Sequence, residues 1–212
     1  MNRVHLPNII FRLYKTDISI TMNKRPIVIV ATARSGSTAY AHHLGKLHKI
    51  KVWVEPSRDA AEFASFQRYI AAGNKDYVVK LISYQLENNE VYQSLLKEDC
   101  YKIKLTRANK IDQIVSFYIA AVSNIWNDHD KYARGMQYTT DIDTELINTT
   151  IQNVNNLDRL LKNADIKFDE ALTYEELIKT INLDNSGVAK IISPSNYELV
   201  KTAIEIEYAK QR

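Results

Sequence analysis

Pro26-Ile27-Val28-Ile29-Val30-Ala31-Thr32-Ala33-Arg34-Ser35-Gly36-Ser37-Thr38 reads as a buried strand that runs into a small-residue loop and opens a helix. The apolar, β-branched run bounded by Pro26 suits an inner strand of a parallel sheet, which is covered on both faces. Ser35-Gly36-Ser37-Thr38 is too small and polar to be core. Such a loop leaves backbone N–H groups unpaired at the start of a helix, and those donors together with the helix dipole favour a phosphate-sized anion. Arg34 adds a charged fork, and the hydroxyls of Ser35, Ser37 and Thr38 add donors.

Downstream the pattern repeats. Residues 37–47 carry apolar side chains at helical spacing, and 49–54 alternate as a strand ending at Glu55-Pro56, which completes a β-α-β unit. Ser57 is the expected cap of a helix through about Ala72, stopped by Gly73-Asn74. Residues 77–82 read as a third strand, 89–97 as a short helix, 101–106 as a fourth strand and 110–126 as an amphipathic helix. The polar stretch 128–141 reads as a loop. A long helix is expected over 143–163, a fifth strand over 170–173, and helices over 174–181 and 196–211. Strands alternating with helices predict a single-domain α/β, P-loop-like three-layer fold: a mostly parallel sheet of about five strands with helices on both faces. The domain is expected over 26–212, preceded by an N-terminal extension over 1–25.

The 212 residues and a hydrophobic fraction of 45% suffice for one compact core. A net charge of +3, with lysines and acids interspersed, argues against nucleic acid as the main partner but leaves room for a local basic pocket. The single cysteine, Cys100, reads as a packing residue and suits a reducing compartment. No apolar run approaches the ~18 residues needed to span a bilayer, and the expected location is cytoplasmic. His42 and His43 are adjacent, point to different sides of a helix and have no ligand partners at helical spacing, so no metal site is expected.

Several side chains fall where chemistry is placed in open α/β sheets, beyond the carboxyl ends of the strands. Arg107 ends the fourth strand, in Leu105-Thr106-Arg107-Ala108-Asn109-Lys110. Glu55 ends the second, as a candidate general base or a strand-ending surface glutamate. Lys80 sits inside an otherwise apolar strand, where it either meets an anion or reaches solvent along its stem. His129 is a reserve base. Tyr84, Trp53 and Trp126 offer flat faces to an acceptor or pack in core and rim.

The first loop is similar to a Walker A sequence, but Ala31 replaces its first glycine and Ser37 its lysine. With Arg34 ahead of Ser-Gly-Ser-Thr, it resembles the 5′-phosphosulfate loop of sulfotransferases that use 3′-phosphoadenylyl sulfate (PAPS). Arg107 with Ser116 resembles the pair that grips the 3′-phosphate in that family, and Arg-x-Asn-x-x-x-Gln-x-x-Ser is closest to its bacterial trehalose-type branch and Golgi carbohydrate relatives. Trp53-Val54-Glu55-Pro56 is similar to the Glu-Pro of carbohydrate sulfotransferases. Leu172-Thr173-Tyr174-Glu175-Glu176-Leu177 resembles a late Tyr-Glu-Asp-Leu signature, read as structural.

The resemblance implies transfer of a sulfuryl group from PAPS to a hydroxyl or amine of a small-molecule or saccharide acceptor, with adenosine 3′,5′-bisphosphate as product. It further implies that Arg34, Ser35, Gly36, Ser37 and Thr38 hold the 5′-phosphosulfate, Arg107 and Ser116 the 3′-phosphate, that Glu55 takes the acceptor proton, and that Lys80 meets the sulfuryl group or acceptor. Lys190 is the one hint of a basic residue in a cofactor-covering loop. The competing readings are a P-loop nucleotide or nucleoside kinase and a non-catalytic domain that binds a phosphorylated ligand.

Overall fold

The computed structural model describes residues 25–87, 89–126, 141–181 and 192–211. Residues 1–24 of the expected N-terminal extension, residues 128–140 of the expected polar loop with His129, and Lys190 lie outside the described residues. The elements are β1 (Ile27–Ala31), α1 (Ser37–His48), β2 (Lys51–Val54), α2 (Ala60–Ala71), β3 (Tyr77–Ile82), α3 (Glu90–Lys97), β4 (Tyr101–Thr106), α4 (Lys110–Ser123), α5 (Thr144–Asn163), β5 (Glu170–Thr173), α6 (Tyr174–Thr180) and α7 (Pro194–Lys210). The strands form one five-stranded, all-parallel sheet in the order β2-β3-β1-β4-β5.

β1 is central and wholly buried because it is apolar on both faces. Val28 and Val30 point to one face, into a core with Phe66, Tyr77, Tyr92 and Leu95 beneath α2 and α3. Ile27, Ile29 and Ala31 point to the other, where they meet Tyr40, Ala41 and Leu44 of α1 and Leu177 of α6. That alternation with period two is what a strand imposes on its side chains. A third cluster packs Ile114, Ile119, Ile147, Ile151 and Val200 from α4, α5 and α7 against one another. Helices therefore cover both faces of the sheet.

Some boundaries differ from expectation for local reasons. Pro56–Arg58 forms a 3₁₀ turn, and Asp59, not Ser57, caps α2 by accepting from the Glu62 N–H at 2.8 Å. Ser57 instead accepts from Gln85 Nε2 at 2.8 Å and donates its N–H to the Tyr92 hydroxyl at 2.9 Å. Lys49 caps the end of α1 in the left-handed region (φ 55°), so β2 starts at Lys51. Asn124, also left-handed at φ 55°, stops α4 at Ser123. Gly45 lets α1 lie close on the edge strand: a Cβ there would stand 2.1 Å from Val52 Cγ2.

Strand order positions the site. β1 feeds β2, on one side of the sheet, while β4 feeds β5, on the other. The segments leaving β1 and β4 thus diverge, and a crevice opens between them at the carboxyl edge of the sheet.

Candidate functional site

The loop after β1 is held by its own backbone and by α4. The Thr32 N–H donates to the Leu105 carbonyl at 3.2 Å, and the Ser35 hydroxyl to the Thr32 carbonyl at 2.7 Å. From α4, the buried Gln113 amide donates to Thr32 Oγ1 at 3.0 Å and to the Ala33 carbonyl at 2.7 Å. Arg34 (φ 60°) and Gly36 (φ 74°) both turn left-handed, and this double bend aims the start of α1 into the crevice. Gly36 is the cap residue of α1 and has no side chain to give, so no side chain caps the first-turn N–H groups.

Arg34, Gly36, Ser37, Thr38, Glu55, Lys80, Arg107 and Ser116 line one cleft of about 1410 Å³. Ser35 does not line it: that residue is fully buried and serves the loop. Arg34 Nε donates to Ser116 Oγ at 3.0 Å, and Arg34 Nη1 to the Trp126 carbonyl. The expected partner of Ser116, Arg107, lies beside the same loop and donates through Nη1 to the Arg34 carbonyl at 3.3 Å. Its guanidinium sits over the Tyr174 ring, 4.6 Å from the centroid, and its Nε is buried with no hydrogen-bond acceptor.

Glu175 accepts from the N–H groups of Ala108 and Asn109, both at 3.0 Å, with Arg107 Nε 4.0 Å from its Oε1. Burial by itself would raise that carboxyl, but the backbone donors and Arg107 hold it below the usual glutamate range. These N–H groups lead into α4 and are already engaged by a carboxylate. An anion at Arg107 therefore has to be held by side chains.

At the end of β2, Glu55 is 8% exposed and takes a left-handed backbone (φ 48°), with its N–H on the Lys80 carbonyl at 2.8 Å. Lys80, only 3% exposed, does not reach solvent: its Nζ donates to Glu55 Oε1. Burial pulls the Lys80 ammonium below the ordinary lysine range, and Glu55 opposes that pull. Arg58 Nη1 lies 3.6 Å from Glu55 Oε2, a partner that stands one turn along the chain. The carboxylate is thus fixed at both oxygens and still faces the cleft.

Among the aromatic candidates, Trp53 is core, packed edge-on against Phe66 with ring centroids 5.4 Å apart. Tyr84 is half exposed and lines the cleft near Glu55. Trp126 lines it at the Arg34 end and packs against Phe117. His42 also lines it. Among the described residues no group of three or more His, Cys, Asp or Glu gathers at one point, and no helix is long and apolar enough to cross a membrane. The contacts of Gln113, Arg58 and the Tyr174 ring emerge only from packing, although each has a sequence signal: Gln113 in the Arg-x-Asn-x-x-x-Gln-x-x-Ser pattern, Tyr174 in the segment after β5 read as structural, and Arg58 in its i+3 spacing from Glu55. Comparison of the chain with models of protein families and with curated proteins finds no match to either.

Proposed function

We propose that this chain is a PAPS-dependent sulfotransferase that moves a sulfuryl group to a hydroxyl or amine of a small-molecule or saccharide acceptor and releases adenosine 3′,5′-bisphosphate. The observation that carries this reading is one cleft, at the divergence of β1 and β4, lined by the Gly36 loop, Arg107, Ser116 and the Glu55–Lys80 pair. The uncapped start of α1 suits a 5′-phosphosulfate, and the Arg107 guanidinium, which lines the same cleft, suits a second anion nearby.

When bound, PAPS supplies an electrophilic sulfur on a bridging oxygen to its 5′-phosphate. In the proposed reaction the acceptor oxygen or nitrogen bonds to sulfur, the sulfur–bridging oxygen bond breaks with its electron pair going to the 5′-phosphate, and the acceptor proton goes to Glu55. The first-turn N–H groups of α1, with Arg34, Ser37 and Thr38, hold the 5′ end and offset charge on it. Arg107 and Ser116 hold the 3′-phosphate. Glu55 needs hydrogen-bond reach of the acceptor, and Lys80 and Arg58 fix its carboxylate so that reach is set by the fold.

A thermal-shift comparison of adenosine 3′,5′-bisphosphate, adenosine 5′-monophosphate and magnesium ATP tests the reading. At a hundred times its dissociation constant a ligand stabilises by about 2.7 kcal/mol. The bisphosphate is expected to give the largest shift at equal concentration. A larger shift with magnesium ATP replaces this reading with a kinase. Glu55→Gln is expected to keep bisphosphate binding and lose sulfuryl transfer from PAPS, whereas wild-type protein that binds bisphosphate but transfers to no acceptor supports a binding domain.

A further inference from the structure

One side chain touches both regions that the proposed function assigns to phosphate. Tyr174 is the first residue of α6, directly after β5, and therefore stands at the carboxyl edge of the sheet beside β4. Its ring closes on Gly36 so tightly that an added Cβ would lie 2.6 Å from Cδ2 and 2.9 Å from Cε2. The same ring lies under the Arg107 guanidinium, 4.6 Å from its carbon. Backbone contacts reinforce the arrangement: Glu175 binds the two N–H groups after Arg107, and Arg107 donates to the Arg34 carbonyl inside the loop.

We propose that Tyr174 is a positioning residue shared by both phosphate subsites: its face sets the Arg107 guanidinium for the 3′-phosphate, and its edge walls the loop around Gly36. This inference rests on the sulfotransferase reading. An arginine carries many rotamers, and one that must meet a phosphate gains affinity when a neighbour removes the unproductive ones. Here Nη1 has a weak, 3.3 Å carbonyl partner and Nε has only the Glu175 carboxylate at 4.0 Å, an ion pair beyond hydrogen-bond reach, so hydrogen bonds alone do not fix the group. The aromatic face supplies what they lack, through attraction between the cation and the ring. Residue 36 has to be glycine for the ring to come this close, on top of its left-handed φ of 74°.

The two contacts separate by substitution. Tyr174→Phe keeps face and edge, whereas Tyr174→Leu keeps bulk against Gly36 and loses the face. The readout is the ratio of affinities for adenosine 3′,5′-bisphosphate and adenosine 5′-monophosphate, measured calorimetrically on the full chain. Wild type and Tyr174→Phe are expected to share one ratio. Tyr174→Leu is expected to lower it by about tenfold, with the monophosphate affinity nearly unchanged. Should the leucine variant not fold, Tyr174→Met makes the same comparison. A leucine or methionine variant that keeps the wild-type ratio, or that weakens both ligands equally, overturns the inference and leaves the sulfotransferase reading intact. Wild-type protein without preference for the bisphosphate overturns both.

Discussion

Gln113 ties the start of α4 to the loop after β1, with one amide nitrogen donating to both Thr32 Oγ1 and the Ala33 carbonyl. The residue is fully buried, so nothing in water replaces these bonds when they are lost. Gln113→Leu is expected to destabilise the fold by about 1–3 kcal/mol, read from urea unfolding. It is also expected to weaken ligands carrying a 5′-phosphate more than it lowers stability alone explains, because the loop loses its tether. A leucine variant as stable as wild type would show that the loop needs no support from α4.

Glu55 and Lys80 form a buried pair, and breaking it from one side leaves the other group in apolar surroundings. Lys80→Met is expected to cost about 3 kcal/mol, near the low end for removing one partner of such a pair because Arg58 still reaches Glu55. The double variant Lys80→Met, Glu55→Gln should cost less than the sum of the single ones. Chemical denaturation of all four proteins closes the cycle, and strict additivity would mean the pair is not coupled.

Gly45 sits inside α1, where alanine ordinarily stabilises a helix by up to about 1 kcal/mol. Here the sign reverses. The added methyl would stand 2.1 Å from Val52 Cγ2, on a β-branched side chain with little freedom to move aside, and 3.3 Å from the Ile50 carbonyl. Gly45→Ala is expected to lose about 1–3 kcal/mol by overpacking, seen as a lower melting temperature. A higher one would place α1 farther from β2 than this packing has it.

Glu175 predicts a pH dependence. Its carboxyl is held below the ordinary value of 4.5, so the folded state keeps it ionised to lower pH than the unfolded chain does. The stability this supplies is fully present above about pH 4.5 and disappears as pH falls through the lower, folded value. Glu175→Gln is therefore expected to be less stable than wild type at pH 7, by about 1 kcal/mol for a lost carboxylate at backbone donors, with the gap narrowing below pH 4.5. Unfolding midpoints across pH 3–7 test it, and a gap independent of pH would rule out the carboxylate's charge as its source.

The parallel sheet is legible because β1 and β3 are largely apolar runs of strand length, separated by stretches of helical periodicity, with Gly36 before α1 and Gly73 after α2. Arg107, Glu55 and the Gly36 loop are legible as a group because each follows a strand, and a parallel sheet brings all strand ends to one edge. Helix starts are less so: Ser57 and Asp59 are both good caps, and only the 3₁₀ turn begun by Pro56 decides between them. The contacts of Tyr174 with Gly36 and Arg107, and of Gln113 with Thr32, join residues far apart in the chain. The motifs that contain them do not name their partners, because the partner is supplied by how helices rest on the sheet. Lys80 stands between these cases, since its oddness in an apolar strand is visible but its partner is not.

The central place of β1 has a consequence for how the chain comes off the ribosome. Both of its partners, β3 and β4, are translated after it, and β2, made in between, bonds to β3 rather than to β1. Until Ile82 has emerged, this apolar segment of the nascent polypeptide has neither of its described partner strands to hold, and no pair of the five described strands can assemble. The anion-gripping loop is thus encoded early and acquires its shape late, once β4 and α4 arrive to brace it.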